Sequence, residues 1–253
     1  MPPISPHKFS SNYSIQDVVA YAVNEGEKLE KAGFDGFIVE NYMDYPFSVK
    51  VKDVYTLGFF SIVAYELRKQ FPKMQLGINI LRNSGVEAVE ISCLVGADFI
   101  RVNAYLEPIH APEGHLEPIA RQIWEKKKLL NCHVKIFSDI NVKHSKPIMS
   151  FQEAVRDTCT RGLVDAIILT GTATGQPPDP SLAIVARKNC RRNVKIFIGS
   201  GISLDNIGLF VDIVDGFIIG TAIKQDKITT NPIDQGEAER IVVYVEKVLS
   251  RLR

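Results

Sequence analysis

Residues able to do acid–base chemistry stand directly after several short apolar runs of this sequence. The carboxylates of Glu40 and Asp139 can accept a proton, and the imidazole of His144 can donate one near neutral pH. The guanidinium of Arg101 can stabilise negative charge that develops during a reaction. We predict these four as catalytic residues. Neighbouring residues with amide, cationic, hydroxyl or backbone groups are predicted to bind the substrate: Asn41, Asn79, Arg82, Asn103, Lys143, Thr170 and Gly171.

Two apolar runs near the end of the chain stop on glycine, within residues 195–201 and 215–221. Glycine lets backbone N–H groups close on an anion, and in (β/α)8 barrels the loops after the last two strands commonly bind phosphate. The spacing therefore predicts a small phosphorylated metabolite as the ligand. Its phosphate group is predicted to bind at Gly199, Ser200, Gly201, Gly220 and Thr221.

Apolar runs typical of strands alternate with helix patterns along the whole chain. Strands that are apolar on both faces and alternate with helices indicate a parallel sheet covered by helices. We predict an α/β fold, a (β/α)8 TIM barrel, in a single domain over residues 1–253. The predicted helices cover residues 15–31, 54–69, 85–95, 117–130, 151–161, 180–188, 204–210 and 234–249, and the predicted strands cover residues 36–40, 76–80, 99–103, 134–139, 165–170, 195–199 and 215–220.

Only seven strands are predicted, because residues 1–13, before the first helix, are polar and rich in proline. The first barrel strand is therefore missing or is supplied irregularly by the N-terminal segment. Unpaired strand edges are usually covered or paired in proteins. Three interpretations stay open: an incomplete barrel, a gap filled by the N-terminal segment or by a partner subunit in a homo-oligomer, and a chain start placed too late.

Composition and charge argue against several classes of protein. The formal net charge of +1 gives no global field to attract nucleic acid or an acidic membrane surface. No apolar run approaches the ~18 residues of a membrane span, and the N-terminus lacks the apolar core of a signal peptide, so we expect a cytoplasmic protein. Cys93, Cys132, Cys159 and Cys190 have no metal-binding spacing and are expected to be buried free thiols.

The candidate residues also have structural interpretations. Glu40 or Asp139 would neutralise Arg101 inside the barrel, since a buried charge has to be paired. Asn41 and Asn79 would satisfy backbone groups of the loops. Both interpretations stay open beside the functional one.

Two loops after strands carry further expectations. His144 lies in the basic loop of residues 140–145, where a histidine is commonly a surface residue, although the place of the loop after a strand favours a role in the site. The loop of residues 170–177 is rich in Gly and Thr, so we expect it to embrace a ligand or to close as a lid.

Several blocks of residues, taken in order, resemble the BtpA family, which includes the SgcQ-type proteins. The resemblance covers nearly the whole chain, and the order of the blocks makes it more specific than any one of them. The blocks are Val39-Glu40-Asn41 with Asp44 and Pro46-Phe47, and residues 77–83, 99–103, 139–144, 170–175 and 199–202.

The resemblance implies a barrel of the ribulose-phosphate-binding type. Family members are linked with photosystem I biogenesis in cyanobacteria and with sugar operons in enteric bacteria. They typically have a first strand that ends in a His-Leu step before a Pro-Pro-Leu-Pro-Gly-like turn, whereas residues 1–6 here match only the turn. Catalysis that depends on that histidine is therefore in question for this chain.

Two functions of different classes follow. The first is an enzyme, or a binder derived from an enzyme, that acts on a small phosphorylated metabolite as a lyase or isomerase; no strand ends in the lysine that a Schiff-base aldolase needs. The second is a non-catalytic assembly or stability factor with a vestigial ligand site. The sequence requires no cofactor, and Mg²⁺ held by Glu40 and Asp139 is a third hypothesis because carboxylate oxygens suit that ion.

Overall fold

The computed structural model describes residues 1–8, 14–171 and 175–252, and the chain forms two compact units. The first unit contains Met1–Val102 and Ile119–Lys135, and the second contains Asn103–Pro118 and Ile136–Arg253. The candidate residues are divided between the units, with Arg101 in the first and Asn103 in the second.

Parallel strands and helices alternate in the first unit. Its elements are α1 (Ile15–Ala32), β1 (Gly36–Glu40), α2 (Val54–Gln70), β2 (Gln75–Asn79), α3 (Gly85–Val95), β3 (Phe99–Val102) and α4 (Ala120–Leu129). The strands pair in the order β1-β2-β3, and Glu40 lies opposite Asn79 in the register. Helix α1 begins at a capping box on Ser14 and ends at Gly33, whose left-handed φ of 88° suits glycine.

The N-terminal segment of residues 1–8 forms no strand and is fastened to the turn after β1. The carboxylate of Asp44 accepts the backbone N–H groups of Ile4 at 2.8 Å and of Ser5 at 3.0 Å. The side chain of Ile4 is fully buried. Residues 1–8 are thus an irregular segment. The rest of the stretch before α1 that was predicted to contain no regular strand, residues 9–13, lies outside the described residues.

The second unit contains a parallel and a small antiparallel sheet. Its elements are β4 (Ile109–Ala111), β5 (Gly114–Leu116), β6 (Lys135–Ile140), β7 (Lys146–Pro147), α5 (Phe151–Arg161), β8 (Ala166–Leu169), α6 (Pro180–Asn189), β9 (Lys195–Ile198), β10 (Gly216–Phe217) and α7 (Gln235–Leu252). The parallel strands pair in the order β6-β8-β9-β10, and β8 is buried along its whole length. Strands β5, β4 and β7 pair antiparallel in that order.

The seven predicted strands are confirmed, three in the first unit and four in the second. Strand β10 is shorter than predicted, and a 3₁₀ turn at Ile207–Leu209 takes the place of the helix predicted at residues 204–210. The sequence pattern does not predict β4, β5 and β7, because strands of two or three residues are too short to show a period. Among the described helices, none combines the length and the apolar character that a membrane span requires.

An aspartate in front of β3 fixes this strand against β2. The carboxylate of Asp98 accepts the N–H of Leu76 at 2.8 Å, and the N–H of Asp98 donates to the carbonyl of Leu76 at 2.8 Å. The guanidinium of Arg68 also donates to this carboxylate. Two bonds between the same two residues leave no freedom to slide, so Asp98 sets the register of β2 and β3.

The same arrangement recurs twice in the second unit. Asp165, in front of β8, accepts the N–H of Ile136 in β6 at 2.8 Å and donates its own N–H to the Ile136 carbonyl at 3.0 Å. Asp215, in front of β10, binds Ile196 of β9 in the same way, at 2.9 and 2.8 Å. Burial opposes ionisation of Asp215, but hydrogen bonds, the first from Arg187, outweigh it and lower the pKa of this carboxyl. We call these three residues the register aspartates.

The expectation of four buried free thiols is wrong. Cys159 of α5 and Cys190 at the end of α6 form a disulfide, with Cα atoms 5.2 Å apart. Cys132 is free and buried, whereas Cys93 is free and exposed. The pairing depends on α5 and α6 being neighbours in space, and a sequence separation of 31 residues gives no sign of that.

Asp98→Ala is expected to lower the free energy of unfolding by about 1–3 kcal/mol, because the buried N–H of Leu76 loses its acceptor. Asp35 stands in front of β1 in the same way, but only its backbone carbonyl is hydrogen-bonded to β2, through the N–H of Gln75. Asp35→Ala should therefore change the free energy by less than about 0.5 kcal/mol. Urea denaturation of the two variants makes the comparison, and equal losses would contradict the register role of Asp98.

Candidate functional site

In the first unit, the polar residues at the carboxyl ends of β1 and β2 contact one another. The amide of Asn79 donates to Oε1 of Glu40, its partner in the register. The side chain of Asn79 is buried and Glu40 is partly exposed. The Nδ2 group of Asn79 thus binds a carboxylate and not the loop backbone, which gives Glu40 a neutral partner.

Asn41 holds the loops that follow these two strands. Its Nδ2 donates to Asp44 at 3.3 Å, and its Oδ1 accepts the backbone N–H of Leu81 at 2.8 Å. The side chain is buried. The amide therefore serves the loop backbone, as the structural interpretation of Asn41 expects.

Two arginines of the first unit are buried, Arg82 after β2 and Arg101 on β3. Guanidinium groups bind carboxylates and phosphates with directed N–H groups. Arg82 and Arg101 therefore stay predicted ligand-binding and catalytic residues, and the neutralisation of Arg101 by a carboxylate stays a prediction.

In the second unit, Asp139 and Asn103 contact each other through their side chains. Asp139 lies near the carboxyl end of β6 and is 2 % exposed, and Asn103 is 4 % exposed. The Nδ2 of Asn103 donates to Oδ2 of Asp139. Chemistry fixes this orientation of the amide, because a carboxylate only accepts. Oδ1 of Asn103 has no hydrogen-bond partner within the described part of the chain.

Glu107 is a titratable residue of this group that the sequence pattern does not predict. It lies between β3 and β4, is 4 % exposed, and accepts the N–H of Asn141 through Oε2 at 3.1 Å. Burial raises the pKa of Glu107 to about 7; the Asn141 hydrogen bond opposes the shift, and the charge of Asp139 adds to it. A carboxyl group that titrates near neutrality can both donate and accept protons. In the sequence, the one signal that could have identified Glu107 is its position as a lone carboxylate in the mostly apolar stretch of residues 104–109.

Thr170 fastens the loop after β6. Its hydroxyl donates to the carbonyl of Asn141 at 3.2 Å and accepts the N–H of Lys143 at 3.1 Å. His144 follows in the same loop, exposed and with a φ of 59°. Both hydroxyl bonds of Thr170 hold this loop, and its predicted role in binding a substrate stays a prediction. Of the expected lid at residues 170–177, residues 172–174 lie outside the described residues.

The predicted phosphate site needs one correction. The N–H of Gly199 donates to the carbonyl of Leu169 at 2.8 Å, so it continues the sheet and is not available to an anion. The N–H groups of Gly201, Gly220 and Thr221 donate to no acceptor among the residues that the structure describes. Ser200, which lies between Gly199 and Gly201 in the sequence, is buried. The predicted N–H donors are therefore narrowed to the residues after Gly199.

Three glycines of the site differ in what a side chain would meet. A Cβ on Gly201, which has a φ of 70°, or on Gly171 would collide with the backbone of Gln176 and Pro177. A Cβ on Gly220 would meet no atom within 4 Å. Gly171 and Gly201 therefore allow close packing of the loop, whereas Gly220 faces open space.

The predicted residues fall into two groups. Glu40, Asn41, Asn79, Arg82 and Arg101 belong to the first unit, and the other predicted residues belong to the second. Their joint action on one ligand stays a prediction. The described residues contain no group of three or more His, Cys, Asp or Glu side chains that could hold a metal ion, so we identify no metal ligand.

Comparison with known protein sequences gives consistent matches over the chain. The model of the BtpA family matches residues 2–247. An uncharacterised protein of Methanocaldococcus jannaschii is 37% identical over 243 residues, which cover 96% of this chain and 92% of that protein. The photosystem I biogenesis protein BtpA of Synechocystis is 33% identical over 238 residues, which cover 93% of this chain and 81% of that protein.

Comparison with solved structures identifies barrel enzymes. Thiamine phosphate pyrophosphorylase from Pyrococcus furiosus has a TM-score of 0.60 at 13% identity, with 90% of each chain covered. N-(5'-phosphoribosyl)anthranilate isomerase from the same organism has a TM-score of 0.57 at 15% identity, with 90% of this chain and 95% of that chain covered. At such identities the likeness shows the fold alone, and it confirms the predicted α/β class of (β/α)8 TIM-barrel type.

Glu107→Gln is expected to change how stability depends on pH. Between the ordinary pKa of 4.5 and the raised value of about 7, the unfolded chain ionises Glu107 while the folded chain keeps the proton. The free energy of unfolding of the natural chain should therefore fall as pH rises through this window and level off above it. The variant should lack this part of the fall.

Urea denaturation at about pH 5, 6 and 7.5 measures the difference between the two proteins. The stability of Glu107→Gln relative to the natural chain should rise with pH over this range. A difference that does not vary with pH would show that Glu107 titrates normally.

Proposed function

The chain belongs to the BtpA family, and from this premise we propose that it binds a small phosphorylated metabolite at the carboxyl ends of the strands of its second unit and acts on it as a lyase or an isomerase. The observation that carries the proposal is that the backbone N–H groups of Gly201, Gly220 and Thr221, after β9 and β10, have no acceptor within the described residues.

A phosphate group would supply the acceptors that these N–H groups lack. Phe217 pairs with Ile198 in the register of β10 and β9, and Gly220 and Gly201 each stand three residues beyond these paired residues in the chain. N–H groups from two neighbouring chain segments are a common way to hold a phosphate. The names of the two structural neighbours contain "thiamine phosphate" and "phosphoribosyl", which supports this ligand class.

Acid–base chemistry is proposed because a buried carboxylate belongs to the same unit as these N–H groups. Asp139 is the proposed base, because its buried carboxylate accepts a hydrogen bond from the amide of Asn103 and a carboxylate can accept a proton. His144 is the proposed acid and Lys143 a proposed anion-binding residue, both in the loop that Thr170 fastens. In the first unit, Glu40 and Arg101 stay predicted catalytic residues.

The second candidate function is a non-catalytic assembly or stability factor. It is favoured by the Synechocystis relative, whose name assigns that protein to photosystem I biogenesis. Such a factor would need the fold and a surface for partners, but no acid–base groups. Such a factor does not require the buried carboxyl groups of Asp139 and Glu107, whereas acid–base chemistry would use them, which is why we place the enzyme first.

Three further expectations stay predictions: a cytoplasmic location, a homo-oligomer, and the organisation of residues 1–253 as one domain. The absence of a nucleic-acid partner likewise rests on the net charge of +1 alone.

Gly220→Val is expected to weaken binding of inorganic phosphate by about tenfold or more, equivalent to about 1.4 kcal/mol. A Cβ on Gly220 would meet no atom within 4 Å, so the valine side chain is expected to occupy open space beside the N–H groups of Gly220 and Thr221 and to hinder an anion there. Gly220 has a φ of −122° and a ψ of −89°, which lies outside the main regions allowed to valine, so circular dichroism first establishes that the variant keeps the fold. Isothermal titration calorimetry with phosphate measures the affinity.

The matched control is Gly58→Val, since a Cβ on Gly58 of α2 also meets nothing within 4 Å. Phosphate affinity should be unchanged in this variant. Equal affinity in the natural chain, Gly220→Val and Gly58→Val, or no phosphate binding by the natural chain, would reject the proposed phosphate site.

A further inference from the structure

Three buried side-chain oxygens near Asp139 in the chain or in space have no hydrogen-bond partner within the described residues. They are Oδ1 of Asn103, Oε1 of Glu107 and Oδ1 of Asn141. All three are acceptors, and a buried acceptor without a donor is destabilising. This part of the second unit is therefore short of donors.

The contacts connect these residues to one another. Asn103 binds Asp139 through its other amide atom, and Glu107 binds the backbone N–H of Asn141, two residues beyond Asp139. Glu107 forms no ion pair with any cation among the described residues, so nothing of opposite charge compensates a carboxylate there. Burial without a counter-charge disfavours the ionised form, and the charge of Asp139 disfavours it further.

A proton is the smallest species that relieves both the shortage of donors and the lack of a counter-charge at Glu107. Placed on Oε1 of Glu107, it turns one unpaired acceptor into a donor and removes one of two neighbouring negative charges. A divalent cation fits less well, because the described residues offer no cluster of three metal-binding side chains.

We propose that Glu107 keeps a proton up to about neutral pH beside the carboxyl group of Asp139, and that a neutral Glu107 lets Asp139 act as a base without a second negative charge next to it. The role as a base rests on the proposed function, whereas the paired protonation does not. Glu107 acts through Asp139 and is a positioning residue. When Asp139 accepts a proton from the ligand, the new O–H bond forms on Asp139, the electron pair stays on the ligand, and the proton on Glu107 remains in place.

Besides burial, two neighbouring groups shift the pKa of Glu107. Asp139, on β6, is the charged group that raises the pKa of Glu107, and the N–H of Asn141 is the neutral donor that opposes the shift. Lys143 and His144 follow Asn141 in the same loop and are the residues nearest to Asn141 in the chain that can carry a positive charge.

Carbon-13 NMR of protein labelled at the glutamate carboxyl carbon tests the pair. The resonance of Glu107 is identified by its absence in Glu107→Gln, and it should titrate near pH 7 in the natural chain. In Asp139→Asn the midpoint should move to lower pH by roughly half a unit, because the neighbouring charge is gone while burial remains. Glu246→Gln, at an exposed position of α7, should leave the midpoint unchanged.

If Asp139→Asn does not fold, as judged by circular dichroism, Asp139→Ser removes the same charge with a smaller side chain. A natural chain in which Glu107 titrates near 4.5, or a midpoint that is the same with and without the Asp139 charge, would overturn the pair. Phosphate calorimetry on the same samples keeps the two proposals distinct. If the Glu107 midpoint depends on the Asp139 charge but phosphate does not bind, the proposed function is rejected and the paired protonation of Glu107 and Asp139 is retained. If phosphate binds but the midpoint does not depend on that charge, only the paired protonation is rejected.

Discussion

The register between neighbouring parallel strands is the constraint on which the rest of the structure depends. Each register aspartate joins two strands through a carboxylate bond and a backbone bond to one residue. A slip of one residue would turn every side chain of a strand to the opposite face. Asn79, Asp139 and Gly199 each stand three residues beyond a residue held in this way, Leu76, Ile136 or Ile196. The starts of the strands therefore set the depth of the polar residues at their ends.

Two carboxylates at the ends of strands, those of Glu40 and Asp139, accept hydrogen bonds from neutral amide groups. Glu40 is bound by the amide of Asn79 and Asp139 by the amide of Asn103, and neither bond cancels the negative charge. Glu107 receives a single backbone N–H, which is too little to stabilise an ion away from water, so its pKa rises. Burial and the charge of Asp139 therefore outweigh the one hydrogen bond that Glu107 accepts from Asn141.

Periodicity was sufficient to predict the seven parallel strands, because each is an apolar run beside a helix pattern. It could not reveal the β4, β5 and β7 sheet or the Cys159–Cys190 disulfide, since both depend on which segments meet in space. Polar residues at the ends of predicted strands indicate Asp139 and Asn103 but not Glu107, because Glu107 lies in the connection between β3 and β4. Hydrogen bonding also reassigned Gly199 to the sheet and Thr170 to the loop, which residue type alone does not show.

Turnover of a phosphorylated metabolite at Asp139 is tested most directly by metabolite profiling. Purified natural chain and Asp139→Asn are incubated with the phosphorylated fraction of a cell extract, and liquid chromatography with mass spectrometry follows every phosphorylated species. The natural chain should deplete one species and form either an isomer of the same mass or two fragments that account for it. Asp139→Asn, with a near-native unfolding temperature, should do neither. No conversion by the natural chain, or equal conversion by the variant, would contradict the role of Asp139.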